Sequence, residues 1–244
     1  MPNLITDVHA AGTPDGAMTA TVHSALAERG LLPETHVVDA GYVDAALLVA
    51  SQVDHAIDLL GPVALDNGWR AQSEQGFDLS AFTIVWPDRI ARCPAGQTSR
   101  DWAETCDRRG TPLVRITFAP ATCADCPNRL LCTPSLPGKR SRPRSLVVRL
   151  QPEHEALQAR RVEQKSEVWK KRYSCRAGIE GTLSQGIRGF GLRRCRYLGQ
   201  VKTHLQHVFT AAAMNLARLD AWLHGRPRAQ TRQSRLTALV PTAA

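Results

Sequence analysis

The strongest constraint on this chain lies in its first 62 residues, where short apolar or β-branched runs alternate with stretches of helical spacing. Leu4 to His9 reads as the end of a strand, followed by a turn cluster from Gly12 to Gly16. Thr19 to Arg29 has helical spacing, with Val22, Ala25 and Leu26 on one face and Gly30 placed to end it. His36, Val37 and Val38 form a β-branched run that stops at Asp39, Ala40 and Gly41. Asp44 to His55 predicts a second helix, and Ile57 to Pro62 a third short strand. Strands and helices alternating at this length predict an α/β fold with a partly parallel sheet flanked by helices.

After Pro62 the pattern changes. Helical periodicity is lost up to Arg144, Pro and Gly recur, and alternating strands are predicted at Phe82–Trp86 and Leu113–Phe118. Five of the seven cysteines fall in this stretch, which reads as a β-rich insertion over 63–144 ending in the basic loop Pro137–Arg144. Cys123, Cys126 and Cys132 lie within ten residues, and Cys93 stands thirty positions earlier. Four thiols with a C-x2-C pair suit tetrahedral Zn²⁺, and a small insertion gains most from a structural metal. Cys106 competes with Cys93 for the fourth position, and free thiols in a reducing compartment are the alternative. Cys175 and Cys195 are expected to pack on helices, as are Trp169 and Trp222.

Ser145 to Leu150 predicts a strand, and Pro152 and Glu153 open a helix that runs through Trp169 and Tyr173 towards Glu180. Gly178 and Gly181 interrupt its helical propensity. A last helix spans Gln200 to Leu223, with Val208, Ala211, Ala212, Leu216 and Leu219 at core spacing. The chain thus divides into 1–62, 63–144, 145–224 and a basic tail over 225–244.

Charge separates the two ends. Residues 1–90 hold 3 Lys and Arg against 12 Asp and Glu, a balance of −9; the other 154 hold 28 against 10, a balance of +18. An acidic half suits cations and a basic half suits a polyanion, with nucleic acid as the partner that best uses such an excess and a solvated basic surface as the alternative. No apolar run reaches the ~20 residues of a membrane span, and the start has no signal-like segment, which predicts a cytoplasmic protein with no membrane partner.

Two acids carry the chemistry. Asp39 stands just past the carboxyl end of a predicted strand, where open α/β sheets place their ligands. Tyr173, Arg176 and Glu180 are three and four residues apart, on one face of a helix. A carboxylate beside a guanidinium and a phenol suits phosphate esters, the acid holding a divalent ion and the other two meeting phosphate oxygens. Arg188, Arg193, Arg194 and Arg196 come next, then Lys202.

Asp39 in its His-Val-Val-Asp-Ala-Gly-Tyr context, the run Tyr173-x2-Arg176-x3-Glu180 and the segment Arg194 to His207 together resemble the DDE transposases of bacterial insertion sequences. The similar subgroup carries a Tyr-x2-Arg-x3-Glu-x6-Lys signature. The resemblance implies an RNase H-like mixed sheet flanked by helices, interrupted here by the Cys-rich insertion. It implies Asp39 and Glu180 as the second and third acids of a site for two Mg²⁺ or Mn²⁺ ions, with transposon-end and target DNA as partners and a homodimer as the active form. Tyr173, Arg176, Arg188, Arg194 and Lys202 are then phosphate contacts. The signature's Lys position holds Ile187, and Arg188 substitutes only with a one-residue shift. Only 32 positions separate Asp7 from Asp39, too few for the two strands the RNase H-like order places between its first two acids. The expectation is therefore a C-terminal portion whose first acid precedes Met1. Two other readings stay open, a DNA-binding remnant without catalysis and a metal-dependent nuclease of the same fold.

Overall fold

The computed structural model describes residues 2–9, 15–66, 71, 76–133 and 143–227. The predicted turn at 12–14, the basic loop at 137–142 and the tail beyond 227 lie outside the described residues. The chain divides into two compact units, Asp15–Lys170 and Met1–Pro14 with Lys171–Ala244.

The first unit begins with α1 (Asp15–Glu28), β1 (Thr35–Val37), α2 (Ala45–His55) and β2 (Asp58–Leu60). Asp44 starts α2 by accepting from the Leu47 N–H at 2.8 Å, one of the donors a helix start leaves unpaired. The helix stops where Ala56 turns left-handed (φ 55°) and gives its N–H to Gln52. β1 and β2 run parallel, with His36 opposite Leu59. Their apolar cluster is Val38, Leu48, Leu59 and Val63. Gly61 is needed for its closeness to β1, since a Cβ there would stand 2.8 Å from Val38 Cγ2 and 3.0 Å from the Val38 carbonyl.

That cluster is completed from far along the chain by Ala156 and Leu157, on the helix Gln151–Glu163 (α5 in chain order). Arg160 of the same helix is buried and donates to Asp58 at 2.6 Å, and it also meets Glu163 at 2.9 Å. The Gln164 amide accepts from the Val63 N–H at 3.0 Å and donates to its carbonyl at 3.2 Å, as a neighbouring strand would.

Between these pieces lies the β-rich stretch. β3 (Thr83–Val85) and β4 (Ile90–Arg92) form one antiparallel pair; β5 (Asp101–Cys106), β6 (Pro112–Thr117) and β7 (Ser145–Val148) form a three-stranded antiparallel sheet. Val114 and Ile116 alternate with exposed Arg115 and stand opposite Val148 and Leu146, so one face of the sheet is buried. Phe82, Ala91 and Phe118 fill the core beneath it. Two short helices, α3 (Pro120–Ala124) and α4 (Arg129–Cys132), come after β6.

The long helix expected to run from residue 152 towards 180 is instead broken. α5 ends in a turn after Glu163, α6 (Glu167–Tyr173) gives way to a 3₁₀ turn at Ser174–Arg176, and α7 spans Ala177–Phe190. The break falls at Ser166, whose hydroxyl donates to the Glu163 carbonyl and accepts from the Trp169 N–H, ending one helix and capping the next. Gly178 and Gly181 lie inside α7.

In the second unit α7 packs on α8 (Gln200–Leu223) through Gly186, where a Cβ would stand 3.2 Å from Met214 Sδ. Ala211 and Met214 are buried on α8, whereas Leu216, expected in the core, is 68% exposed and Val208 is exposed as well. Trp222 is also exposed, so of the two tryptophans assigned to the core only Trp169 is buried. Residues 4–9, expected as a strand end, are in no sheet. Asn215 holds this segment by accepting from the Ile5 N–H (2.8 Å) and donating to its carbonyl (2.7 Å), and Arg218 donates to Asn3. Among the described residues the strands therefore fall into three separate small sheets: the α/β class holds, but the one continuous mixed sheet does not appear. Among them, too, no helix is long and apolar enough to cross a membrane.

A histidine group behind β1 makes the first unit acid-sensitive. His23 on α1 is 1% exposed and shares a proton with His36 across 2.8 Å, with Ser51 at 3.4 Å and the His55 ring edge-on. Burial, then the neighbouring His36 and His55, pushes the His23 pKa down to about 4. His23 therefore folds as the neutral form. Its contribution to stability is complete above about pH 6.5 and is lost as pH falls towards 4, a loss on the order of 2 to 3 kcal/mol. Urea midpoints measured between pH 7.5 and 4.5 should fall more steeply for the natural chain than for His23→Gln; equal slopes would refute this origin.

Candidate metal and DNA site

Asp39 stands where a parallel strand delivers a ligand. Val38 extends the β1 ladder by donating to Leu60, and the chain then leaves the sheet with Asp39 extended (φ −75°, ψ 164°) and exposed. The loop is firmly held. The Asp39 carbonyl accepts from Tyr42 in a 3₁₀ turn, and the buried Thr19 hydroxyl of α1 donates to the Tyr42 carbonyl at 2.9 Å. Gly61 lets the end of β2 lie against Val38 directly beside it.

In the second unit, Tyr173 closes α6, Arg176 sits in the 3₁₀ turn and Glu180 occupies the first turn of α7, where the helix dipole favours an anion. The backbone stays right-handed helical through Arg176 and Ala177, so the expected three- and four-residue spacing keeps its meaning across the break. Arg176 Nη1 reaches Glu180 Oε1 at 3.3 Å, with the Glu180 side chain 72% exposed and that of Arg176 25%. Such an ion pair adds only ~0.3–0.5 kcal/mol to stability. Its carboxylate is open to solvent and to any cation that competes with the guanidinium. Asp39 belongs to the first unit and Glu180 to the second.

A basic surface lies beyond Glu180. Ile187 is half-buried and Arg188 is exposed in the last turn of α7, so of the two residues at the signature's Lys position the accessible one is Arg188. Gly191, left-handed at φ 65°, ends the helix. Gln206 of α8 then fixes the next loop by donating to the Arg194 carbonyl (2.8 Å) and accepting from the Arg196 N–H (3.0 Å). Arg193, Arg194 and Arg196 are exposed, as is Lys202 in the first turn of α8. Cys195, expected to pack on a helix, is exposed in this loop. Its thiol donates to the Tyr197 carbonyl and bonds to the Thr203 hydroxyl, and the Thr203 contact holds its pKa below the ordinary thiol value. Cys175 is likewise exposed.

The structure brings the four cysteines of the expected zinc set to one cavity. Cys93, Cys123, Cys126 and Cys132 line a space of about 30 Å³ with Phe118, Arg129 and Arg144. Cys106, at the end of β5, is exposed and does not line it. Among the described residues no group of three or more His, Cys, Asp or Glu stands so that it could hold a metal ion. Sequence reasoning missed the histidine group and Gln206, because each depends on contacts between elements. For the first, the only available signal was His23, His36 and His55, which share no local spacing.

A family model described as the transposase DDE domain matches residues 92–220, just over half of the chain. The matched span contains Tyr173, Arg176, Glu180, Arg188, Arg194, Lys202 and the four cavity cysteines, while Asp39 precedes it. No curated protein and no solved structure matches the chain.

Proposed function

This chain belongs to the family of transposases with a DDE domain, and from that premise we propose that it supplies the second and third acids, Asp39 and Glu180, of a two-metal site that cuts and joins DNA strands at the ends of an insertion sequence on an RNase H-like core. The observation that carries the reading is the exposed Glu180 carboxylate, paired with Arg176 and succeeded by the fixed arginine loop, all inside the family match. Asp39 and Glu180 are the residues that would hold Mg²⁺ or Mn²⁺, and their exposed carboxylate oxygens are the hard donors such ions take. When bound, the ions supply Lewis-acid polarisation of the phosphodiester and a water or 3′-hydroxyl activated for attack. Arg176 and Tyr173 orient phosphate oxygens beside the carboxylate. Arg188, Arg194 and Lys202 hold the DNA backbone without reading bases. A homodimer is the form in which two element ends are brought together.

The test uses the full chain with supercoiled plasmid. Nicking is expected with Mn²⁺ and none with EDTA; nicking that needs no divalent ion would overturn the proposal. In the same buffer, neutralising Arg188, Arg194 and Lys202 together should reduce the slope of log affinity against log salt by roughly 2.7, about 0.9 for each phosphate left unneutralised. An unchanged slope would remove these residues from the interface. DNA binding without nicking is the outcome expected of a non-catalytic remnant, and nicking without joining of 3′-hydroxyl ends that of a nuclease.

A further inference from the structure

We propose that Cys93, Cys123, Cys126 and Cys132 bind one zinc ion as a structural tetrathiolate site that fastens the short helices α3 and α4 to the turn after β4. The site holds whether or not the chain cuts DNA.

The first support is convergence. Three chain segments bring four thiols to a single cavity of about 30 Å³, room for an ion or one or two waters. All four are half-buried, and Cys93, Cys123 and Cys132 pack against the Phe82–Phe118 core. The remaining cysteines, 106, 175 and 195, are all exposed.

The second support is local backbone form. Cys93 opens a tight turn through Pro94 in which Gly96, at φ 77°, donates to the Cys93 carbonyl, while the Cys93 N–H donates to Gln97. Cys126 opens another through Pro127, with Arg129 donating to the Cys126 carbonyl at 3.2 Å. Knuckle-like turns of this kind present a thiol from a fixed backbone. Cys123 lies on the five-residue α3 and Cys132 ends the four-residue α4. Helices this short do not hold themselves together in water, because nucleation costs more than so few bonds return. A metal that ties both to β4 supplies the missing constraint.

The third support is charge. Four thiolates around Zn²⁺ leave two negative charges in excess, and two guanidiniums line the same cavity. Arg129 donates to the carbonyls of Cys123 and Ala124. Arg144 is 7% exposed, donates to the carbonyls of Cys132 and Phe77, and lies over the Phe82 ring at 5.0 Å. Two guanidiniums beside the four thiols would offset the excess charge of a dianionic centre. Binding converts four thiols and Zn²⁺ into the tetrathiolate and releases four protons to solvent. It also draws the sulfurs inward to the ~2.3 Å that a zinc–thiolate bond requires.

Metal analysis of the purified full chain tests the site, with about one zinc per chain expected. Replacing zinc with Co²⁺ should give thiolate-to-cobalt charge-transfer absorption and the visible bands of a tetrahedral site. Cys126→Ser should lower zinc affinity at least tenfold, whereas Cys106→Ser, Cys175→Ser and Cys195→Ser should each keep the full metal content. Absence of zinc, iron in its place, or an equal loss in Cys106→Ser would overturn the assignment. Should Cys126→Ser fail to fold, the cobalt spectrum of the natural chain decides: a spectrum without sulfur-to-metal absorption refutes it.

Discussion

Glu180→Ala should leave Mn²⁺-dependent nicking at about one-thousandth of the natural rate or less, while DNA binding changes by less than about threefold. The expected loss, some 4 kcal/mol of barrier at ~1.4 kcal/mol per tenfold, is the scale on which a metal ion stabilises developing charge. The fold should be almost untouched, because the Glu180 side chain is 72% exposed and meets Arg176 at 3.3 Å in a surface pair. That separation makes the result diagnostic. If the carboxylate only neutralised Arg176, Arg176→Ala would reproduce every effect of Glu180→Ala, and adding Glu180→Ala to it would cost nothing more. Asp39→Ala should lose activity to a similar degree, while its loop keeps the bond from the Tyr42 N–H to the residue 39 carbonyl and the one from the Thr19 hydroxyl to the Tyr42 carbonyl. Full nicking activity in either alanine variant would remove the DDE mechanism from this chain.

Arg160→Ala should cost about 2 to 4 kcal/mol of folding free energy and lower the melting midpoint by roughly 6–12 °C. The guanidinium is buried, meets Asp58 at 2.6 Å and Glu163 at 2.9 Å, and joins α5 to β2. Its removal takes the 2.6 Å partner from the Asp58 carboxylate and loosens the helix that supplies Ala156 and Leu157 to the core around Val38. Lys170→Ala, which breaks an exposed pair with Glu167, is the comparison and should change stability by less than about 0.5 kcal/mol. A comparable midpoint shift in both variants would mean that the buried pair has no special role.

Local chemistry explains what could be read from the sequence. Asp44 and His55 bracket α2 because a capping carboxylate acts within one turn. Asp39 is placed at the end of a strand by the β-branched run before it and the glycine after it. Arg176 and Glu180 meet because four residues is one helical turn. What could not be read depends on partners distant in sequence. Residues 4–9 have strand-like composition, yet Asn215, 210 positions from Ile5, satisfies backbone groups that a sheet would otherwise take. The helix from 151 stops at 163 because Gln164 turns its amide to Val63 and Ser166 caps α6, and no propensity encodes either contact. Spacing left Cys93 and Cys106 as rivals. Only the arrangement of strands decides between them, since β4 leads into the cavity and β5 leads away from it.

The joining of β2 to α5 has a consequence for synthesis. Asp58 and Arg160 are 102 positions apart, so at translation rates of ~5–20 residues per second the first strands leave the ribosome about 5–20 s before the helix that seals them. During that interval Val38, Leu59 and Val63 have no lid. The intervening hairpins, whose pairings are all local apart from β7, have time to fold first. Nascent chains stalled before residue 151 should therefore carry ordered β3–β6 and an open, chaperone-accessible α/β segment.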